Sequence, residues 1–286
     1  MKRKQVAIST SLILISIVVG LGIAEIGLRI LDLGYGNAPY DSHPVLHHVH
    51  PTSYYYRSHS PGGEYGGHFV YYDQNGLIAE SVKTAPKETD CRIAFLGDSF
   101  TEARHVPYEK SFVGLLDSST DCETRNYGVI SYSPIIYYLQ WKHVVRKWKP
   151  DVVIVQLFSN DMDSDDSYFD EAKFNSDGEP IALPGASGDW IVTYLRKSYV
   201  LRLLRRAQLT IEWVVTHWGE QKDVVGDFVE ENPDISQVSS DMLKLLNKEV
   251  IDSGAKLAIF TVPSKFRLRN QDRTYTEMEF ADKWKE

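Results

Sequence analysis

From residue 91 onward the chain alternates short apolar runs with stretches of helical periodicity. Ile93-Ala94-Phe95-Leu96 is the first run, Thr124 to Val129 the second, Val152 to Phe158 the third and Lys256 to Val262 the fourth. The third is almost unbroken in its apolar character, as a strand buried on both faces requires. Between the second and third, Ser133-Pro134 predicts a helix start with a hydroxyl cap and a proline in the first turn. Ile135, Ile136, Leu139, Val144, Val145 and Trp148 give that helix an apolar side, and Lys147, Lys149 and Pro150 end it. A further helix over about 236 to 252 stops at Gly254. Strands separated by helices in this way predict an α/β fold, a doubly wound parallel sheet with right-handed crossovers.

The first thirty residues follow another pattern. Lys2, Arg3 and Lys4 precede nineteen residues, Val6 to Ala24, that carry no charge. As a helix these span about 28 Å, close to the roughly 30 Å of a bilayer core. A transmembrane helix in this position keeps its basic end in the cytoplasm and leaves the rest of the chain outside, periplasmic or at the cell surface. A cleaved signal peptide fits the same order, with Gly22-Ile23-Ala24 as its cleavage site. The anchor is preferred because the apolar stretch exceeds a usual signal core and continues through Ile26 to Leu31. Residues 1–30 are therefore read as a membrane anchor or signal segment, 31–90 as an extracytoplasmic cap or linker, and 91–286 as the main domain.

The cap segment is rich in Tyr, Gly, His and Pro. His43, His47, His48 and His50 raise the question of a metal site, but Pro44 and Pro51 break the local structure and no carboxylate-histidine helical spacing accompanies them. A solvated loop without metal is expected. Val70-Tyr71-Tyr72 followed by Asp73-Gln74-Asn75-Gly76 predicts a strand ending in a turn. The only two cysteines have matching settings: Cys91 lies six residues before Gly97, and Cys122 six before Gly128. If the segments that follow are adjacent parallel strands, a disulfide is geometrically reasonable and an oxidising compartment would preserve it. Two unrelated buried thiols are the competing reading.

Composition narrows the partners. With 286 residues, 43% of them hydrophobic and 24% charged, the chain can bury a substantial core. A net charge of -8 with no basic stripe excludes nucleic acid. Asp161, Asp163, Asp165 and Asp166 have the opening spacing of a calcium loop, yet Asp166 stands where that loop needs glycine and Ala172 where it needs its last ligand. A solvated acidic loop is expected there, and no metal or cofactor. Residues 174 to 190 suggest an insertion loop, and 191 to 218 an amphipathic helix whose Lys197, Arg202, Arg205 and Arg206 face solvent or, alternatively, an anionic membrane or polysaccharide.

The chemistry-bearing residues fall where the strands end. The first strand runs into Gly97-Asp98-Ser99-Phe100, the second into Gly128 and then Ser131, the third into Ser159-Asn160-Asp161. Carboxyl ends of parallel strands are where open α/β sheets place their sites. A serine there becomes a nucleophile when a base takes its proton and donors hold the developing oxyanion. No Gly-x-Gly-x-x-Gly turn follows the first strand, which disfavours a nucleotide-binding domain, and no Gly-x-Ser-x-Gly elbow is present.

On these residues the chain resembles the SGNH/GDSL hydrolase family. Gly97-Asp98-Ser99-Phe100 resembles the first block, with Phe in place of the usual Leu; Asn126 to Ser131 resembles the second and Asn160-Asp161 the third, over roughly residues 91 to 263. The resemblance implies a flavodoxin-like sandwich and a serine ester hydrolase. Ser99 would attack the ester carbonyl, and the backbone N–H of Ser99, that of Ser131 and the side-chain amide of Asn160 would form the oxyanion hole. Asp98, Gly128 and Asp161 would support the site. Expected substrates are acylated small molecules or acetylated envelope or exported polysaccharide, cleaved or used for acyl transfer.

Three departures accompany the resemblance. Ser131 and Ser159 stand where the family often has glycine, changes that keep each backbone N–H. The family's late Asp-x-x-His, which supplies acid and base, has no counterpart, since the last histidine is His217. His105 and His143 do not occupy the base position and are read as surface or supporting residues. Thr276 to Glu279 has the form of a capping box opening a helix, so the simplest expectation is a sequence that stops before the Asp-x-x-His segment. The alternative is a non-catalytic binding or assembly protein on the same scaffold.

Overall fold

The computed structural model describes residues 2–36, 39–58, 67–185, 195–216 and 236–262. They form two compact units, one from the described residues of 2–36, 39, 55–58, 67–69 and 195–216 and the other from those of 40–54, 70–185 and 236–262. The segment between residues 31 and 90 contributes to both units.

In chain order the elements are α1 (Lys2–Ile30), β1 (Tyr35–Gly36), β2 (Asp41–His43), β3 (His47–Val49), β4 (Tyr54–Ser58), β5 (Phe69–Tyr72) and β6 (Ile78–Ala79). There follow β7 (Arg92–Leu96), α2 (Ser99–Glu102), α3 (Phe112–Ser119), β8 (Glu123–Asn126), α4 (Pro134–His143), β9 (Val152–Leu157) and α5 (Ser159–Glu171). The last are β10 (Lys173–Phe174), β11 (Pro180–Ala182), α6 (Tyr199–Thr216), α7 (Gln237–Asp252) and β12 (Lys256–Thr261).

The smaller unit contains α1, the parallel pair β1–β4 and α6. The larger unit carries the sheet in the order β5-β6-β8-β7-β9-β12. β7 pairs in parallel with β8 on one side and β9 on the other, and β12 pairs in parallel with β9. Numbered by themselves, these strands run 2-1-3-4, the start of the flavodoxin-like order, and the sheet reverses its winding between β7 and β9. The four expected strands are parallel, and at one edge the sheet is extended by β6, which runs antiparallel to both β8 and β5.

Alternation along β7 explains why helices cover both faces. Ala94 and Leu96 join one core with Ile135, Ile136, Leu139 and Trp141 of α4 and Met242, Leu243, Leu246 and Val250 of α7. Ile93 and Phe95 point the other way and pack with Val113 of α3. Helix α4 is buried from Pro134 to Trp141, so it has no solvent side. It also ends earlier than its pattern suggested, because Val145–Trp148 tightens into a 3-10 helix closed by Lys149 at φ 55°.

Two polar segments fold where loops were expected. Residues 41–49 form the antiparallel hairpin β2–β3, and His50 just after it is only 3% exposed. The acidic run after Asn160 is the helix α5, with Asp161 and Asp165 both buried. Their spacing of four places them on one inner face. The helix start read at Thr276 lies outside the described residues, as do residues 186–190 of the insertion loop and His217.

Cys91 and Cys122 form a disulfide, and the residues after them, Arg92 and Glu123, open the β7–β8 ladder. The bond closes a loop of 31 residues, for which chain entropy gives about 3–4 kcal/mol. A Cys91→Ser/Cys122→Ser variant is expected to lose about 3 kcal/mol of unfolding free energy in a denaturant titration, and an unchanged midpoint would show that the link constrains little.

Candidate active site

The turn after β7 is shaped by close approach. A Cβ on Gly97 would collide with Thr101 Oγ1, and one on Gly128 would stand 2.5 Å from the Glu102 nitrogen. Both positions therefore need glycine, and its absence of a side chain lets the β7–α2 turn sit against the segment following β8. Asp98 caps α2, its Oδ1 accepting the Phe100 N–H at 2.9 Å. Ser99 opens the helix half-buried, and its hydroxyl reaches Asp98 Oδ2 at a long 3.4 Å.

Beyond β8 the chain stays on β7 through Tyr127 N–H to Phe95 O and Val129 N–H to Gly97 O. Asn126 ties the two loops together: Nδ2 donates to Thr101 O at 2.6 Å and Oδ1 accepts the Gly128 N–H at 2.9 Å. A turn then closes with Tyr132 N–H on Val129 O, and Ser131 within it has φ 61°. That is left-handed backbone, which favours glycine and costs other residues roughly 1–2 kcal/mol.

The peptides on either side of Ile130 are held from below by groups that sequence reading missed. Ile130 N–H donates to Glu102 Oε2 at 2.9 Å, and Ile130 O accepts from His48 Nε2 at 2.8 Å. His48 must then carry its proton on Nε2. In a trans peptide the Ser131 N–H points away from that carbonyl, so His48 fixes the direction of the N–H. Burial pushes the His48 ring below its ordinary value, against the raising effect of the Ile130 carbonyl. Glu102 is fully buried and bonds His50 Nε2 at 3.2 Å and the Tyr40 hydroxyl at 3.1 Å. Burial alone would raise this carboxyl, but His50, Arg104 and Tyr40 together hold it below the usual range. The period-two pair His48 and His50, on one face of an extended segment, was the available signal.

At the end of β9, Asn160 lies exposed in the first turn of α5. Asp161 turns back under the helix, where Oδ2 accepts the Phe158 N–H and the Tyr137 hydroxyl, each at 3.0 Å. Its Oδ1 is buried without a donor, and the Asp98 carboxyl lies within hydrogen-bonding reach of Asp161. Burial raises the pKa of Asp98; burial and the neighbouring Asp98 charge raise that of Asp161 well above the carboxylate range. Two such carboxyls resist ionising together, so a proton shared between them is the expected state, which the pH dependence below tests.

The loops bearing Ser99, Gly128–Ser131 and Asn160 thus meet through Asp98 with Asp161, Glu102 with Ile130, and the Phe100 and Phe158 rings with centroids 4.3 Å apart. His105 is exposed beyond α2. His143 ends α4, about 13 Å along the helix from Pro134, and bonds Ile181. Among the described residues no group of His, Cys, Asp and Glu is arranged to hold a metal ion.

No protein-family model and no curated protein sequence matches the chain. Solved structures similar to it include a G-D-S-L family protein from Desulfitobacterium hafniense, 15% identical, with a TM-score of 0.24 and coverage of 60% of this chain and 78% of that one. The acetyl xylan esterase AlAXEase is 15% identical at a TM-score of 0.28, covering 65% and 85% respectively. An acetylxylan esterase from Geobacillus stearothermophilus is 13% identical at 0.25, covering 68% and 85%.

Two variants probe this geometry. Ser131→Gly keeps the N–H and removes the backbone strain, so it should raise stability by about 0.5–1 kcal/mol in thermal or chemical unfolding. The carboxyl pair gives a pH signature. Raised folded pKa values mean that the native state holds more protons than the unfolded chain above about pH 4, so this contribution to stability falls as pH rises through the folded range. In Asp161→Asn the amide can donate to Asp98 and still accept from Tyr137. That variant should exceed the native chain in stability by about 1 kcal/mol at pH 8, the gap closing toward pH 4. A gap independent of pH would rule out the shared proton.

Proposed function

We propose that the chain is a serine ester hydrolase of SGNH/GDSL type, held outside the cytoplasm by α1, that removes or transfers acyl groups, acetyl above all, on small molecules or envelope polysaccharide. One observation carries the reading: three loops bearing Ser99, Ser131 and Asn160 meet where the sheet reverses its winding, between β7 and β9. In this reading Ser99 Oγ attacks the ester carbonyl. The carbonyl oxygen, negative in the tetrahedral state, accepts from the N–H of Ser99, the N–H of Ser131 and Nδ2 of Asn160. Collapse expels the alcohol and leaves an acyl-serine, which water or an acceptor hydroxyl then relieves.

The pieces around the site suit that chemistry. His48 holds the Ile130–Ser131 peptide, and Glu102 the Val129–Ile130 peptide before it, in one orientation before reaction, as oxyanion stabilisation requires. Burial and mutual repulsion oppose two full negative charges on Asp98 and Asp161 behind the nucleophile. The preference for acetylated polysaccharide rests on the outward placement that the apolar helix and the disulfide support, and on no single residue.

The proton of Ser99 needs an imidazole. Among the described histidines near the site, His48 and His50 already use Nε2 on Ile130 O and Glu102. That favours, as a second reading, a scaffold that binds acylated ligands without turning them over.

An activated acetyl ester and a fluorophosphonate probe separate the two. Turnover by the native chain, abolished in Ser99→Ala and reduced about 10²- to 10³-fold in kcat by Asn160→Ala, supports the hydrolase. Turnover unaffected by Ser99→Ala eliminates the proposed nucleophile. Binding of an acetylated oligosaccharide without turnover or labelling supports the scaffold.

A further inference from the structure

The smaller unit contains a feature that ester chemistry does not use. Helix α6 has an apolar stripe of Leu203, Leu204, Ala207, Ile211, Val214 and Val215. At 3.6 residues per turn these fall within about 120° of arc. Leu203, Leu204, Ile211, Val214 and Val215 are 37% to 70% exposed. Arg205, Gln208, Glu212 and Thr216 line the adjoining polar face, laced by Arg205–Gln208 and Gln208–Glu212 hydrogen bonds of 2.8 and 2.7 Å. The third face is occupied: Arg202 donates to Arg196 O and Tyr55 O, and Arg206 lies 3.7 Å over the Tyr35 ring.

What sets the depth of this helix is Glu25 of α1. Its carboxylate accepts the Tyr199 and Val200 N–H groups at 3.0 and 2.9 Å and the Ser198 hydroxyl at 2.9 Å, while Arg29 pairs with it at 2.7 Å. Arg29 also donates to Lys197 O at 2.7 Å. The N-terminus of α6 is therefore fixed to one level of the apolar span Ile8–Ile30. Counted from Ile8, Glu25 stands about 25 Å along a bilayer core of roughly 30 Å, close to the outer boundary. A carboxylate at that depth needs partners, and the free N–H groups of a helix start provide them. Two turns on, Arg206 meets Tyr35, beyond the end of α1, so α6 leaves the anchor at its outer end.

We propose that α6 lies in the outer membrane–water interface with the Leu204–Ile211–Val215 stripe buried among lipid headgroups and upper acyl chains. The occupant of this face is a lipid surface. An amphipathic helix starting at the boundary of a spanning helix presents its apolar side at the one level where hydrocarbon and water adjoin. This rests on reading α1 as a membrane anchor, and the experiment keeps the two apart.

The full chain is reconstituted in phosphatidylcholine vesicles with 20% phosphatidylglycerol, a mole fraction of about one in five chosen to supply anionic headgroups. An environment-sensitive fluorophore is placed singly through Leu204→Cys, Ile211→Cys, Glu212→Cys or Val19→Cys, the native cysteines remaining in their disulfide. Lipid carrying a nitroxide high on the acyl chain is the quencher. Emission at 204 and 211 should fall by about twofold or more, with little change at 212, while deep-chain nitroxide quenches at 19. Quenching at 19 without quenching at 204 and 211 overturns the proposal and leaves the anchor standing, and it would mean that protein, from this chain or a second copy, covers the stripe. No quenching at 19 removes the anchor and the proposal together.

Discussion

The larger unit is organised around a fully buried carboxylate, Glu102. It sits at the end of a four-residue helix, a poor place for a charge unless every lone pair is occupied. The occupants come from three stretches of chain: His50 and Tyr40 from the segment around the β2–β3 hairpin, Ile130 N–H from the loop after β8, and Arg104 through Tyr40. A buried carboxylate with its partners contributes little net stability, whereas removing one partner typically costs about 3–5 kcal/mol. The arrangement therefore specifies more than it stabilises. It makes the conformation of the Ser131 turn depend on a hairpin some eighty residues earlier in the chain.

A second constraint, the reversal of winding between β7 and β9, separates the helices that follow these strands to opposite faces and opens a crevice at their ends. α2 and α5 both begin there, with Asp98 and Asp161 beneath them. Each carboxyl caps its own helix by accepting a backbone N–H, from Phe100 in one case and Phe158 in the other. Local helix chemistry thus brings two acids together, and satisfying both caps in the same buried volume is what raises both carboxyls.

Much of this was legible in the sequence because burial on both faces leaves a strong mark. Runs such as Val152 to Leu157 admit few other interpretations, and the polar residues interrupting them at Asp98-Ser99 and Asn160-Asp161 stood out for that reason. The hairpin at 41–49 left no such mark: its strands have three residues each and its burial comes from tertiary contacts of histidine and tyrosine. α5 was hidden by its own composition, since eight of its thirteen residues are Ser or Asp with low helix propensity. Ser239 and Ile135, which satisfy Asp165, are distant in sequence and no local rule could supply them. The left-handed turn at Ser131, with φ 61°, had as its one forewarning the glycine common at this position in the family that the motif resembles.

The disulfide and the candidate site lie at opposite ends of the same strand pair, separated by the Arg92–Phe95 ladder with its partners Glu123–Asn126. Sliding one strand past the other by a single residue would exchange the inward and outward sides of Ile93 and Phe95 and carry Asn126 away from Thr101. Cys91 and Cys122 thereby act as a pin on alignment, remote from the reactive serine. A polypeptide that met an oxidant before β7 and β8 had found each other would cyclise without mispairing within these 286 residues, whose two cysteines are Cys91 and Cys122, and would enter folding with its strand alignment already favoured.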